Sequence, residues 1–197
     1  AVTLDGEAVA VKVQRPGVLE TVAADAALAR AAAGWLEGLR GPGGGRLLRP
    51  ALVRSVDEFF SRLYEEFDFV NEKANLDAFA ETYGPRSREG KRLGGRVLLP
   101  RPLPKYCGRR VLTMSWVDGA PLMAPGTAAL PASELPLVRF GIRCTLSQLL
   151  ETGLMHADPH AGNILRPPPS RAARWRARLR LPAPRPTLAY IDFGMVS

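Results

Sequence analysis

The stretch His-Ala-Asp-Pro-His-Ala-Gly-Asn-Ile at residues 156–164 constrains the fold of this chain more than any other feature. Within it Asp158 and Asn163 are separated by four residues, and Asp192-Phe-Gly follows downstream. Phosphoryl transfer requires of a protein mainly positioning and charge neutralisation, and a carboxylate, an amide and a second carboxylate in this order are typical of it. We therefore predict that Asp158 is the catalytic carboxylate, which orients an acceptor hydroxyl, and that Asn163 and Asp192 are oxygen ligands of Mg²⁺.

A lysine that could bind phosphates lies near the start of the chain. Lys12 is part of the apolar, β-branched run Val-Ala-Val-Lys-Val, which predicts a buried strand and matches the pattern of a phosphate-binding strand. A strand lysine whose amine reaches solvent is the commoner interpretation of such a run alone. Because the loop motifs follow it in the expected order, we predict that Lys12 is a catalytic and ATP-binding residue.

Taken together, these segments resemble the UbiB-type, aarF-domain family of atypical kinases. The matching segments are residues 9–18, 66–72 with Asn75 after them, 111–119, 156–165 and 191–195. They span nearly the whole chain. Gln-Arg-Pro-Gly after the lysine and Asp-Pro-His in the catalytic loop indicate this family rather than ordinary protein kinases.

The resemblance implies an α+β, protein-kinase-like two-lobed fold (atypical kinase), truncated at both ends. Residues 1–197 would form one atypical kinase-like domain. About 1–118 would be an N-lobe with inserted helices, about 119–197 the start of the C-lobe, and 166–186 a basic Pro/Arg insert. The expected truncation rests on the short stretch before the Lys12 strand, where a nucleotide loop belongs, and on the end of the sequence just after Gly194.

Residues 55–83 predict one long amphipathic helix, with Ser55 as its N-cap. The resemblance assigns Glu72 of this helix as the partner of Lys12. It assigns Glu66 and Asp68 to a Glu-x-Asp motif that faces the nucleotide site and an N-terminal extension. Carboxylates on an amphipathic helix usually form a solvated face, and this alternative stays open here.

Residues 114–119, Met-Ser-Trp-Val-Asp-Gly, resemble the hinge between the lobes. The resemblance implies that the main chain at Met114 and Trp116 contacts the adenine of ATP. We predict that the Trp116 side chain is a core or interlobe aromatic. Elsewhere, residues 20–39 and 135–152 predict helices, and residues 96–100 and 110–116 predict strands.

The net charge of +8 first suggests a nucleic acid or an anionic membrane as partner. Seven arginines and no acidic residue lie between Asp158 and Asp192, so most of this charge belongs to the insert. No nucleic-acid partner is therefore expected. We predict a poorly ordered insert, with contact to an anionic membrane surface as the alternative. Cys107 and Cys144 form no Cys-x-x-Cys motif and are expected as free thiols.

A second interpretation of the loop is a transition-metal site made of His156, Asp158 and His160. The chain contains two histidines, so no further imidazole could complete such a site. We predict instead that His156 anchors the loop near the Asp-Phe-Gly turn.

The resemblance implies an ATP- and Mg²⁺-dependent kinase or ATPase linked to isoprenoid-quinone or prenyl-lipid metabolism. In a eukaryote it would be organellar, in chloroplast or mitochondrion, and membrane-associated; otherwise it would be bacterial, in the cytoplasm or at the membrane. A prenyl lipid or a membrane surface is thus an expected partner beside ATP, and no protein partner is indicated. The alternative is a nucleotide-binding regulatory or scaffold protein with little turnover.

Overall fold

A computed structural model of the chain describes residues 1–40, 51–122, 134–169, 176, 178–179 and 187–196. Its strands are β1 (Val9–Val13), β2 (Val97–Leu98), β3 (Val111–Ser115), β4 (Ala120–Pro121), β5 (Ile164–Arg166) and β6 (Leu188–Tyr190). Its helices are α1 (Val18–Gly38), α2 (Leu52–Glu65), α3 (Phe69–Tyr83), α4 (Arg88–Arg92) and α5 (Leu135–Ser147). A short 3₁₀ turn covers Pro104–Tyr106, and a π-helical turn, Gln148–Thr152, extends α5.

The strands form two sheets. β1 and β3 pair antiparallel, with Lys12 opposite Leu112. The second sheet has the order β2-β6-β5-β4, in which β2 runs parallel to β6 and the other pairs are antiparallel. β2 falls within the predicted N-lobe but pairs with β6, so this segment of the chain belongs to the sheet that carries the catalytic loop.

The predicted single helix over residues 55–83 is wrong, because the chain turns between α2 and α3. The Asp68 carboxylate accepts hydrogen bonds from the backbone N–H groups of Val70 and Asn71, both at 3.0 Å, and caps α3. Such a side chain competes with helix continuation and favours a new N-terminus. Ser55 is not the N-cap of α2 either, since its hydroxyl donates back to the Ala51 carbonyl.

The other predicted elements lie close to where the sequence placed them. α1 and α5 occupy the two further predicted helices, and β2 and β3 occupy the two predicted strands. α5 passes into its π-helical turn before Gly153, whose φ of 72° ends the helix.

α3 connects the two parts of the core. Near its start Phe69 packs with Leu112 and Met114 of β3. Further along, Leu76 and Phe79 belong to the larger cluster, which also contains residues of α5, β5 and β6 together with Phe193. α3 therefore places Glu72, which lies between Phe69 and Leu76, at the junction of the two sheets.

α1 and α2 pack against each other and form a hairpin. Arg30 of α1 is ion-paired with Asp57 of α2, and Glu37 accepts a hydrogen bond from the backbone N–H of Val53 at 3.0 Å. Ala33 is buried in α1, whereas α2 has no buried residue. This α1–α2 hairpin packs mainly on itself.

The predicted properties of the Pro/Arg insert fall mostly outside the described residues, although Arg166 is the last residue of β5. Within the described ranges, none of the helices combines the length and apolar character that a membrane span requires.

Candidate active site

A cleft of about 560 Å³ lies between β1 and the two loops that the sequence singles out. Five of the predicted site residues line it: Lys12, Glu66, Asp158, Asn163 and Asp192. They come from β1, the α2–α3 turn, the loop before β5 and the segment after β6. Groups that are distant in sequence thus meet around one space of the size that small-molecule sites have.

Lys12 contacts two carboxylates in this cleft. Its Nζ lies 2.7 Å and 2.8 Å from the two carboxylate oxygens of Glu72 and 2.9 Å from Oδ1 of Asp192. Glu72 is only 1% exposed, so its charge depends on these partners. The Glu72 carboxylate also accepts a hydrogen bond of 3.3 Å from the backbone N–H of Phe193. It therefore ties the strand lysine to the Asp-Phe-Gly segment.

The electrostatics of this contact favour a charged Lys12 and a charged Asp192, whereas burial raises the pKa of Glu72. Burial opposes a charged Lys12, but the hydrogen bond and charge of Glu72, joined by Asp192, raise the pKa of the ammonium above its ordinary value. Burial likewise opposes ionisation of Asp192, yet Lys12 and the backbone N–H of Gly194 lower the pKa of this carboxyl. An ammonium and an ionised carboxylate thus face the cleft together.

Asp192 has an unusual backbone conformation. Its φ of 68° is left-handed, which costs a non-glycine residue on the order of 1–2 kcal/mol. The turn is held by Gly194, whose N–H donates to Asp192 Oδ1 at 3.3 Å, and by Asn75, whose amide donates to the Phe193 carbonyl at 3.0 Å. Phe193 is buried in the large core cluster. Strain of this kind is typical of residues held in place for function.

His156 anchors the loop of residues 156–163 near the Asp-Phe-Gly turn, as the sequence predicts. Its backbone N–H donates to the side chain of Gln148 at 3.2 Å, and its Nε2 lies 3.4 Å from the Ile191 carbonyl. The next residue, Ala157, donates its N–H to the Met195 carbonyl at 3.0 Å. Burial lowers the pKa of His156 and keeps the ring neutral.

Asp158 and Asn163 are linked within the loop. The Asn163 amide nitrogen lies 3.2 Å from the Asp158 carbonyl and 3.3 Å from its Oδ2. Because the amide nitrogen of Asn163 donates to Asp158, its amide oxygen is available to accept a hydrogen bond or to bind a metal ion. Asp158 keeps a half-exposed carboxylate toward the cleft, with Nε2 of His160 at 3.4 Å.

The donor atoms of the cleft fit magnesium. A carboxylate from Asp192 and an amide oxygen from Asn163 are hard oxygen ligands, and Mg²⁺ commonly uses one or two protein ligands beside phosphate and water. The alternative transition-metal site finds no support. Across the described ranges, no group of three His, Cys, Asp or Glu residues is placed to hold a metal ion.

The structure separates the two carboxylates of the Glu-x-Asp motif. Glu66 lines the cleft beside Gly194, where an added Cβ would lie 3.7 Å from the Glu66 Cα. Asp68 does not line this cleft, because its carboxylate caps α3 and lies at a neighbouring groove. The prediction that both residues face the nucleotide site therefore has geometric support for Glu66 and not for Asp68.

Met114 and Trp116 are not brought into the cleft. Met114 is buried against Phe69, in a strand that pairs with β1 on one side and with the segment around Pro102 on the other. The Trp116 N–H donates to the Ala8 carbonyl at 3.0 Å, and its indole N–H donates to Asp118 at 2.8 Å. The Trp116 side chain is 58% exposed, so it is neither a core residue nor part of the lining described here.

Sequence reasoning missed several residues of the site. Gln14, Arg15 and Phe67 also line the cleft, and Gln148 holds the catalytic loop from behind. Their position could have been used to predict that Gln14 and Arg15 line the cleft, because both follow Lys12 closely in the sequence. For Gln148 no sequence pattern indicates its contact with His156.

Comparisons with known proteins find similar sequences and similar solved structures. The model of the ABC1 atypical kinase-like domain matches residues 1–197. The chain is 37% identical over 195 residues to an uncharacterized protein of Synechocystis sp., covering 98% of this chain and 24% of that protein. It is 35% identical over 202 residues to Protein ACTIVITY OF BC1 COMPLEX KINASE 3, chloroplastic, of Arabidopsis thaliana, covering 98% of this chain and 23% of the relative.

A third relative is an uncharacterized aarF domain-containing protein kinase, chloroplastic, of Arabidopsis thaliana, with 36% identity over 191 residues, 97% of this chain and 22% of that protein. Among solved structures, the complex of Rv3197 with erythromycin from Mycobacterium tuberculosis superposes with a TM-score of 0.65 and 26% identity over 100% of this chain and 42% of that chain. The predicted family and the predicted kinase-like α+β fold are confirmed. The chain spans about a quarter of the length of the curated relatives it matches.

Proposed function

The chain belongs to the ABC1 atypical kinase-like family, and from this premise we propose that it is the Mg-ATP-binding core of an atypical kinase or ATPase. One observation carries the proposal: Lys12 contacts both Glu72 and Asp192 in a cleft that Asp158 and Asn163 also line. Phosphoryl transfer needs a cation on the phosphates, oxygen ligands for a metal and a carboxylate at the acceptor, and these groups supply them.

Each residue has a distinct role in this proposal. Lys12, oriented by Glu72, neutralises phosphate charge. Asp192 and Asn163 hold Mg²⁺, which when bound supplies charge neutralisation at the transferred phosphoryl group. Asp158 orients the acceptor hydroxyl and takes its proton. Glu66 faces the same cleft and adds a carboxylate beside the metal position.

The decisive experiment measures nucleotide binding and hydrolysis by the full-length protein, with and without Mg²⁺. The wild type is expected to bind ATP in a Mg²⁺-dependent manner. Lys12→Ala and Asp192→Asn are expected to lose at least tenfold in nucleotide affinity or turnover. Lys105→Ala, an exposed lysine on the Tyr106 ring, is the matched control and is expected to behave as the wild type.

The outcomes separate the two functional classes. Wild-type protein that shows no Mg²⁺-dependent nucleotide binding would contradict the kinase proposal. Binding that is lost in Asp192→Asn but never accompanied by turnover, with or without lipid, would favour the nucleotide-binding regulatory or scaffold protein.

The biological setting is a finer part of the proposal. Relatives named as chloroplastic support an organellar protein. We propose that it is membrane-associated and that isoprenoid-quinone or prenyl-lipid metabolism is its context, with mitochondrial or bacterial settings as alternatives. Membrane contact through the Pro/Arg insert is tested by liposome flotation. Replacing Arg174, Arg176 and Arg178 by Ser should abolish flotation on anionic vesicles; unchanged flotation would refute a lipid role for the insert.

A further inference from the structure

We propose that a groove beside the active-site cleft is a second binding site, for a single-chain amphiphile with a phosphate or carboxylate head. This side groove has a volume of about 790 Å³ and is bounded by the start of α1, the end of α2, the start of α3 and the turn that precedes β3. Its size falls in the range of small-molecule sites. The inference does not depend on the proposed nucleotide chemistry.

The side groove and the cleft are separated by one hydrogen-bonded wall. Gln14 and Phe67 line both spaces, and the Gln14 amide donates to the Phe67 carbonyl at 3.2 Å. The backbone N–H of Gln14 also donates to the Arg110 carbonyl at 2.9 Å. Because these bonds connect the end of β1 with both the α2–α3 turn and the turn before β3, the wall is a fixed part of the fold.

Two cationic side chains line the groove. Arg109 and Arg110 lie next to each other in the turn before β3, and neither has an acidic partner within the described part of the chain. Asp68 is the acidic residue of the lining, and its Oδ1 accepts two backbone hydrogen bonds. With two arginines and one aspartate the lining keeps a net positive charge. Two arginines that line one groove without an ion pair favour a phosphate or carboxylate ligand.

Apolar side chains also line the groove. Leu19 of α1, Tyr64 of α2 and Val70 of α3 line the groove, and they are 37%, 37% and 56% exposed. Residues of three separate helices thus present apolar surface to one concave space. Such a lining favours a ligand that carries hydrocarbon as well as charge. A concave groove lined by residues of three helices suits one chain of a monomeric amphiphile better than the flat surface of a bilayer.

The test is titration calorimetry of the full-length protein with three probes. Dodecyl phosphate, below its micellar concentration, is expected to bind at one site. Inorganic phosphate and dodecyl maltoside are expected to bind at least tenfold more weakly, because each lacks one half of the ligand. Equal affinity for either of them, or capture of the protein by phosphatidic acid vesicles without binding of monomeric dodecyl phosphate, would overturn the proposal.

Variants locate the site. Arg109→Ser with Arg110→Ser is expected to weaken dodecyl phosphate binding at least tenfold, and so is Val70→Asp, which adds a negative charge in the first turn of α3 where an acidic residue suits the helix. The matched control replaces Arg54 and Arg88, two arginines outside the groove, by Ser and should leave binding unchanged. Unchanged binding in the groove variants, or an equal loss in the control, would refute the site.

A further variant keeps this test separate from the nucleotide proposal. Asp192→Asn alters the cleft and leaves the lining of the side groove intact, so it should bind dodecyl phosphate with wild-type affinity whether or not it binds nucleotide. Loss of amphiphile binding in Asp192→Asn would show that the ligand occupies the cleft, and would contradict a separate site.

Discussion

The two carboxylate partners of Lys12 differ in their surroundings, and this difference assigns them different roles. The side chain of Glu72 is 1% exposed, whereas that of Asp192 is 42% exposed. Separating a buried carboxylate from its cation leaves an unpaired charge in the protein interior, which costs much free energy. A half-exposed carboxylate can instead replace its partner by water or another ion. Lys12 is therefore fixed to Glu72, and at the proposed magnesium site it would compete with the metal ion for Asp192.

Removing the ammonium should expose this competition. In Lys12→Met, we expect the nucleotide-free protein to bind Mn²⁺, a paramagnetic substitute for Mg²⁺, severalfold more tightly, because Asp192 has lost its cationic neighbour. Nucleotide affinity should fall at the same time. Electron paramagnetic resonance of free Mn²⁺ measures the first effect.

Two control variants distinguish the expected gain in Mn²⁺ affinity from an effect of misfolding. Lys12→Met combined with Glu72→Gln removes both charges of the buried pair and should show the same gain in Mn²⁺ affinity. Lys105→Met, at an exposed lysine, should show none. Unchanged Mn²⁺ affinity in both Lys12 variants would mean that the Lys12–Asp192 contact does not oppose metal binding.

His156 makes the stability of the fold depend on pH. Burial lowers its pKa below the ordinary 6.5, so between that lowered pKa and 6.5 the unfolded chain binds a proton that the folded chain does not. The free energy of unfolding should therefore fall as the pH drops below about 6.5. Urea unfolding of His156→Gln between pH 7.5 and pH 5.5 should show a smaller decrease than the wild type. The exposed His160, replaced by Gln, should keep the wild-type decrease.

At the scale of elements, the turn between α2 and α3 decides which acidic residues reach the cleft. A continuous helix would distribute Glu66, Asp68 and Glu72 by helical periodicity alone. The cap at Asp68 ends that periodicity, places Glu66 in the turn beside the cleft and begins α3 so that Glu72 faces the junction of the sheets. Asp68 is therefore a structural carboxylate, which lies in the chain between Glu66, a residue of the cleft lining, and Glu72, the partner of Lys12.

This division of roles predicts different effects for neighbouring substitutions. Asp68→Ala should lower the free energy of unfolding by about 1 kcal/mol through loss of the N-cap, and Asp68→Asn, which also caps helices, should restore most of it. Glu66→Gln should change stability by less than about 0.5 kcal/mol while altering Mg-nucleotide affinity. Urea unfolding and nucleotide titration distinguish the two. Weaker nucleotide binding in Asp68→Asn at normal stability would assign Asp68 a binding role.

At the scale of the whole molecule, stability is expected to be uneven. α3 takes part in both core clusters, whereas the α1–α2 hairpin packs mainly on itself and has one buried residue among its two helices. Segments with few buried apolar contacts open at lower free energy than the core. The hairpin should thus open independently of the site.

Hydrogen exchange followed by mass spectrometry tests this expectation. Backbone amides of α1 and α2 in the full-length protein should exchange at least tenfold faster than those of α3 and β6. Mg-ATP should slow exchange in the catalytic loop and leave the hairpin unaffected. Equal protection of the hairpin and α3 would show that another part of the protein covers the hairpin.

Much of this organisation was predictable from local patterns. The separation of Asp158 and Asn163, the Asp-Phe-Gly turn and the apolar strand around Lys12 are short-range features, because a loop or strand of a few residues fixes the spacing of its own side chains. Family resemblance added Glu72 as the partner of Lys12, 60 residues away, and the structure places the pair at 2.7 Å. The kinase-like fold followed from the same motifs.

Other features depend on contacts that no local pattern encodes. Competition between a side-chain cap and helix continuation broke the helix predicted over residues 55–83, and pairing of β2 with β6 joins segments about ninety residues apart in the chain. The main chain of the predicted hinge is hydrogen-bonded to the Ala8 carbonyl. The side groove lies where three helices and a turn meet. The chemical role of a short motif can be predicted from the sequence. The residues that surround the motif depend on the packing free energy of the whole chain.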